Sequence, residues 1–351
     1  MRSIRTQLDR WYRTHRRDLP WRPPTGRDDE PVDPYHVLVS EFMLQQTQVS
    51  TVVSYFKRFI ASFPDVRSLA TADEQDVLMH WEGLGYYRRA RMLHACARAI
   101  VEQHQAIIPS DPETLLTLPG IGQYTAGAIA SIGFARRAPI VDGNVSRILS
   151  RIECLDIDTQ STAGQHAIWA IAAQIVPQKS PGVFNSAMME LGATICTPKS
   201  PRCAECPVSK QCRARELDRV ESIPRRRAKR PLPIVERVIY CLHDAKRDLW
   251  CLEQRPPNGR WAGMWQFPSR ESDGPSKPIP GEASNFDVIG GFDHALTHRL
   301  YRFKVVAAPR SRATQAILDP SRPTTWLSLD DSRSLPMPVP HLRVREMLLA
   351  R

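Results

Sequence analysis

Through the first two-thirds of the chain, apolar residues return every three to four positions, as in Ile4, Leu8 and Trp11 and again in Phe184, Met188, Leu191 and Ile195. That period lines one face of a helix. Thr71-x-x-Glu74, Ser110-x-x-Glu113 and Thr162-x-x-Gln165 have the form of capping boxes and predict helix starts. Gly83, Gly85, Pro109, Pro119, Gly120 and Gly122 punctuate between them. Beyond residue 234 the pattern changes to short runs rich in β-branched and aromatic residues. Residues 235–242, 249–254, 261–267 and 299–307 predict strands, and 340–350 a closing helix. Between the two regimes, 213–233 gathers Arg225, Arg226, Arg227, Lys229 and Arg230 among Pro224, Pro231 and Pro233, the composition of a solvated basic linker. The pattern therefore predicts an all-α domain over 1–212 and an α+β domain over 234–351, with no internal repeat.

Length agrees with this division, since 351 residues exceed what one core usually serves. No apolar run reaches 18 residues, so no membrane span is expected. The arginine-rich N-terminus lacks the apolar stretch of a signal peptide, and a cytoplasmic location is expected, with the nucleoid as its site in a bacterium. A net charge of +11 favours a polyanionic partner, nucleic acid or an anionic surface.

Four cysteines close the first region with the spacing C-x6-C-x2-C-x5-C: Cys196, Cys203, Cys206 and Cys212. Thiolates this dense in a proline-braced loop suit either an iron–sulfur cubane or a structural zinc. Cys96, Cys154, Cys241 and Cys251 lie in apolar contexts and read as core residues. Upstream, Leu118-Pro119-Gly120-Ile121-Gly122-Gln123-Tyr124-Thr125-Ala126-Gly127 sits between two predicted helices. Gly120 and Gly122 permit a tight turn, and the amides opening the next helix can donate to a phosphate.

Two carboxylates carry candidate chemistry. Asp142, in Pro139-Ile140-Val141-Asp142-Gly143-Asn144, stands where an apolar run meets a helix, so amides and the helix dipole are expected to keep it ionised. Glu41 lies in a mostly apolar helix, where desolvation is expected to raise its pKa toward that of a general acid.

The cysteine loop and the L-P-G-I-G turn resemble the endonuclease III superfamily of helix-hairpin-helix DNA glycosylases. The run Ser40-Glu41-Phe42-Met43-Leu44-Gln45-Gln46-Thr47-Gln48-Val49 resembles its MutY-type adenine DNA glycosylases. Arg17-Asp18-Leu19-Pro20-Trp21-Arg22, Gly83-Leu84-Gly85-Tyr86-Tyr87 and the stretch from Phe184 to Gly192 extend the likeness nearly end to end.

The resemblance implies a helix-hairpin-helix at 113–133, a [4Fe–4S] cluster on the 196–212 loop, and a Nudix-like lesion-recognition domain after the linker. It further implies a monomer that excises adenine mispaired with 8-oxoguanine or guanine in double-stranded DNA. Glu41 would protonate the base, and Asp142 would face the sugar cation. Tyr124 and Asn144 would order the sugar and Asp142. Arg17, Trp21, Arg22 and Glu190 would line or support the adenine pocket. Gln46 and Tyr86 would wedge into the base stack, while Thr47 would approach the opposite base. Gly120 and Gly122 would contact the DNA backbone.

Tyr124 falls where lyase members carry a Schiff-base lysine, which implies a monofunctional enzyme. The stretch from Gly259 to Pro268 resembles the family's Nudix-like domain, without the Nudix glycine pair and carboxylates between 269 and 286. Leu296, Thr297 and His298 stand where the family carries a Phe-Ser-His loop that reads 8-oxoguanine. A bifunctional glycosylase/lyase and a non-catalytic cluster-bearing DNA-binding protein are the alternative readings.

Overall fold

The computed structural model describes residues 2–30, 32–225, 231–271, 286–315 and 317–351. The chain divides into two compact units, one of Met1–Thr71 with Met92–Ala228 and one of Ala72–Arg91 with Lys229–Arg351. The helices in chain order are α1 (Arg2–His15), α2 (Pro34–Leu44), α3 (Val49–Ser62), α4 (Val66–Thr71), α5 (Glu74–His80), α6 (Arg88–His104), α7 (Pro112–Leu116), α8 (Gln123–Ala128), α9 (Gly143–Glu153), α10 (Thr162–Ile175), α11 (Pro181–Thr194) and α12 (Arg213–Glu216). None is long and apolar enough to cross a membrane.

In the first unit, the expected stripes meet as one core. Ile4, Leu8 and Trp11 of α1 pack with Ile148 and Leu149 of α9, Ile168 of α10, and Phe184, Met188 and Leu191 of α11. Burying side chains of this size contributes about 1.5–3 kcal/mol each before chain entropy is counted. Gly192 allows α11 to approach α9 closely, because a Cβ there would meet Asn144 Cβ at 2.4 Å. Helix starts differ from the expected boxes by one or two residues. Asp73 caps α5, Asp111 caps α7 and Ser161 caps α10, in place of Thr71, Ser110 and Thr162. In the first two cases a carboxylate nearer the first turn competes successfully with a hydroxyl for the free amides.

Residues 213–225 are not the solvated tether their composition suggests. Ala214 and Ile223 are buried, Arg151 Nε donates to Ile223 O at 3.0 Å, and Arg219 and Arg225 both pair with Asp156. Arg226, Arg227, Lys229 and Arg230 lie outside the described residues, as does most of the stretch 269–286, which lacks the Nudix carboxylates.

The second unit is built on a seven-stranded sheet: β1 (Ile234–Asp244), β2 (Leu249–Gln254), β3 (Trp265–Gln266), β4 (Ser269–Glu271), β5 (Asp287–Leu296), β6 (Arg299–Pro309) and β7 (Thr324–Leu327). The order is β3-β2-β1-β6-β5, with β4 on β1 and β7 on β2. β1 and β6 pair in parallel, from Ile234 with Leu300 to His243 with Pro309. α13 (Arg312–Gln315) follows β6, and α14 (Val339–Leu349) closes the chain; Val344 and Leu348 of α14 pack on Ile239, Tyr301 and Phe303 of the sheet. The expected strand at 261–267 shrinks to Trp265–Gln266, because Trp261 and Gly263 take positive φ of 54° and 71°. Three strands were not expected: the short β4 and β7, and β5, an edge strand whose register shifts between Val288 and Gly290.

Candidate active site

A cavity of about 560 Å³ opens in the first unit, lined from four directions. α2 and the turn after it supply Ser40, Glu41, Gln46 and Thr47. The segment after α1 brings Arg17, Leu19, Trp21 and Arg22. α8 contributes Tyr124, and the facing ends of α9 and α11 bring Asp142, Asn144, Met189 and Glu190. Ten residues expected at the site, from Arg17 to Glu190, thus line one hollow. Tyr86, Thr297 and His298 belong to the second unit and do not line it.

Glu41 is enclosed because α2 is apolar nearly all round; Val37, Leu38, Phe42 and Met43 beside it are all buried. Among the described residues its Oε2 has no hydrogen-bond partner. Burial pushes its pKa up to about 7, against a downward pull from a hydrogen bond with Tyr124 and with Asp142 adding to the rise. Near neutrality the side chain therefore carries a proton in a substantial fraction of molecules. Tyr124 is itself held neutral, because burial raises its pKa well above the usual value, and its hydroxyl donates to Met189 Sδ at 3.2 Å.

Asp142 is the N-cap of α9. Oδ1 accepts from Val145 N at 2.7 Å and Oδ2 from Asn144 Nδ2 at 2.9 Å. Burial raises its pKa, and the amides of Val145 and Asn144, with the Asn144 side chain, offset part of that rise by favouring the charged form. Asn144 is oriented in turn by Arg147, whose Nη2 donates to Asn144 Oδ1 and to Gly192 O at 2.8 Å each.

Glu190 is fully buried yet ionised. Burial alone would raise its pKa, but Arg17 and Arg22 bring it below the usual range. Arg17 donates from Nε to Oε1 at 2.7 Å and from Nη2 to Oε2 at 3.0 Å; Arg22 Nη2 adds a bond to Oε2 at 2.9 Å. Its carboxylate is thereby occupied in fixing two guanidiniums. Trp21 packs edge-on against Phe56 at 5.3 Å, which sets its ring plane.

Gln46 takes a left-handed backbone (φ 57°), as does Tyr86 (φ 49°), which is 47% exposed. Bulky side chains tolerate this conformation at a cost, which is common where a loop presents a residue outward. Tyr86 OH and Thr297 Oγ1 are 2.7 Å apart. Thr297 and His298 form the two-residue turn between β5 and β6. Gly120 has φ 75°, and a Cβ there would meet Met92 Cβ at 2.6 Å, so its lack of a side chain serves packing beneath the turn. A Cβ on Gly122, the N-cap of α8, would meet nothing within 4 Å.

Cys196, Cys203, Cys206 and Cys212 are all free thiols. Burial pushes Cys206 up to about 11, helped by the other three, and it raises Cys212 as well. Arg151 of α9 reaches Cys196 Sγ with Nη1 at 3.2 Å, and Cys212 Sγ donates to Arg151 O at 3.4 Å. Among the described residues no group of three or more His, Cys, Asp or Glu side chains is drawn tightly enough together to hold a metal ion.

The sequence reading passed over Arg147, Arg151 and Met189. Arg147 stands three residues after Asn144, a spacing that places both on one helix face. Met189 lies within the stretch from Phe184 to Gly192, where no single residue but Glu190 stands out in sequence.

Residues 39–173 match the family model described as HhH-GPD superfamily base excision DNA repair protein, and 238–347 match that of the NUDIX domain. The chain is 36% identical to the mouse adenine DNA glycosylase over 89% of its own length and 72% of that protein's. It is 41% identical to the human adenine DNA glycosylase over 78% of its own length, and spans half of that relative. Among solved structures, a thermostable thymine-DNA glycosylase superposes with a TM-score of 0.55 at 26% identity, covering 62% of this chain and 96% of that one.

Proposed function

Because the chain belongs to the adenine DNA glycosylase family, we propose that it hydrolyses the N-glycosidic bond of adenine mispaired with 8-oxoguanine or guanine in DNA. One observation carries this reading: a buried, readily protonated Glu41 shares a cavity with a hydrogen-bonded carboxylate, Asp142, and nothing else there is a comparable acid.

A stacked adenine is out of reach, so it must swing out of the duplex, at a cost of roughly a few kcal/mol that a mispair reduces. Trp21 and the Arg17–Glu190–Arg22 clamp shape the receiving pocket, and Gln46 and Tyr86 fill the space left behind. Adenine leaves poorly as an anion. Glu41 protonates N7, and general acid catalysis of this kind is worth about 10² to 10⁴ in rate. Asp142 then faces an oxocarbenium-like sugar, as a carboxylate does in retaining glycosidases. Its two hydrogen bonds fix the carboxylate plane, and Arg147 fixes the Asn144 that supplies one of them. Water, with Glu41 now a base, completes the hydrolysis. Tyr124 offers no amine for an imine, so strand cutting is not expected.

The four cysteines fit a [4Fe–4S] centre. Burial raises Cys206 and Cys212, the neighbouring thiols add to the rise, and a cationic centre bound there would favour their thiolates. Bound there, such a centre would brace the 196–212 loop. In the second unit, Thr297 and His298 are the candidates for reading the base opposite adenine. Leu296 cannot stack as an aromatic would, so lesion discrimination is kept but softened.

The test is release of adenine from an 8-oxoguanine:A duplex, with and without hot alkali. Free adenine with strand breaks only after alkali is expected. No release, or breaks without alkali, rejects the proposal. Visible absorption and elemental iron decide the cluster against zinc.

A further inference from the structure

Among the described residues, one face of the sheet in the second unit carries more cation than its surroundings balance. Parallel pairing sets Arg237 of β1 opposite Phe303 of β6, so Arg237, Arg299, Tyr301 and Phe303 share that face. The Arg237 guanidinium lies 5.9 Å from the centre of the Tyr301 ring, and that of Arg260 lies over the same ring at 5.0 Å. Arg260 also reaches the β5–β6 turn, with Nη2 3.2 Å from His298 Nε2.

Among the described residues, three buried polar atoms here have no partner: Arg237 Nε, Arg299 Nε and the Tyr301 hydroxyl. All three can donate, and a buried donor left unmet costs about 1–3 kcal/mol. Glu271, 3.5 Å from Arg237 and itself half exposed, opposes them, and Glu253 also acts on Arg237 while paired with Arg322. Burial together with Arg299 and Arg237 weakens the hold of Arg260 on its proton, the sign of cations crowded without enough anion.

We infer that Arg237, Arg260 and Arg299, gathered around Tyr301, form a seat for a phosphate group. Arg237 and Arg260 lie against one ring, and Arg299 shares the sheet face of that ring; donors from separate side chains suit a tetrahedral anion with several acceptor oxygens better than a planar carboxylate, which one guanidinium can satisfy alone. Arg260 and Arg299 are partly exposed and form the mouth; Arg237 stands behind them. The phosphate can belong to a DNA backbone held beside His298 or to a free nucleotide. The seat rests on this geometry and not on the glycosylase reading.

The experiment uses the full chain and reads binding, so loss of the glycosylase reading leaves it interpretable. Duplex affinity is measured across a range of salt for the wild type, for Arg260→Gln/Arg299→Gln and for Arg260→Lys/Arg299→Lys. Thermal unfolding is followed in parallel with inorganic pyrophosphate, against chloride of equal ionic strength.

Each phosphate contact contributes about 0.9 to the slope of log affinity against log salt. The expected result is a slope lowered by about 1 to 2 in the glutamine variant and retained in the lysine variant, which identifies the DNA backbone as the source. An unchanged slope, with pyrophosphate raising the melting temperature of the wild type and not of the glutamine variant, identifies a free nucleotide phosphate instead. If the glutamine variant matches the wild type in both measurements, or the lysine variant falls with it, the seat is overturned.

Discussion

Glu41 and Glu190 are both buried carboxylates on the wall of the same cavity, yet they end in opposite states. Glu41 faces apolar neighbours and a single phenol, so the cost of burial falls on its charged form and it holds a proton to about pH 7. Glu190 meets two guanidiniums over four hydrogen bonds, counting the Arg17 amide, and stays ionised despite the same burial. Depth alone does not decide ionisation; the nearest cation does. One wall is therefore an acid and the other a fixed clamp. Asp142 is intermediate, with amides to hold its charge and burial to oppose it.

The largest expected effect tests the acid directly. Glu41→Gln and Asp142→Asn should each lose most base release, by about 10² to 10⁴ or more, while still binding mispaired duplex. Single-turnover excision at saturating enzyme measures this, and near wild-type rates in either variant reject the assignment. The clamp should fail differently. Glu190→Gln leaves Arg17 and Arg22 beside a neutral amide and should destabilise the fold by about 3–5 kcal/mol, read from urea midpoints.

Glu41→Gln should do the reverse. In the wild type, the stability supplied by the protonated Glu41 is fully present below its unfolded value near 4.5 and is lost as pH rises through about 7. The glutamine variant should therefore match the wild type at pH 4 and exceed it at pH 8, by on the order of 3 kcal/mol. Equal stability at both pH values would show that Glu41 is not shifted. By the same titration, wild-type base release should fall up to tenfold per pH unit above about 7. The smallest effect is structural: Gly192→Ala pushes α11 away from Asn144 and should cost about 1–3 kcal/mol, with excision impaired beyond what that loss explains.

Much of the site was legible because its residues fall in short motifs whose chemistry is local. The S-E-F-M-L-Q-Q-T run places an acid within an apolar helix, and the step from Val141 to Asn144 places another at a helix start. Arg147 was not legible in the same way. Its importance lies in reaching from α9 to the Gly192 carbonyl on α11, a contact that exists only once the helices pack. The burial of Asp142 was hidden for a related reason, since its amides are written in the local sequence whereas the walls that enclose it are not. In the second unit, β5 escaped notice because Gly290, Gly291, Asp293 and His294 break the apolar alternation. An edge strand is specified by its partner β6 more than by its own residues. The capping boxes were right in kind and displaced in position.

Asp142 fastens the first turn of α9 with the same two oxygens that would meet the sugar. Disorder in that turn would therefore silence the protein while the rest of the fold stayed intact. The Val145 amide proton, shielded by Oδ1 at 2.7 Å, becomes a built-in gauge: its exchange with deuterium reports how often the reactive carboxylate is out of place.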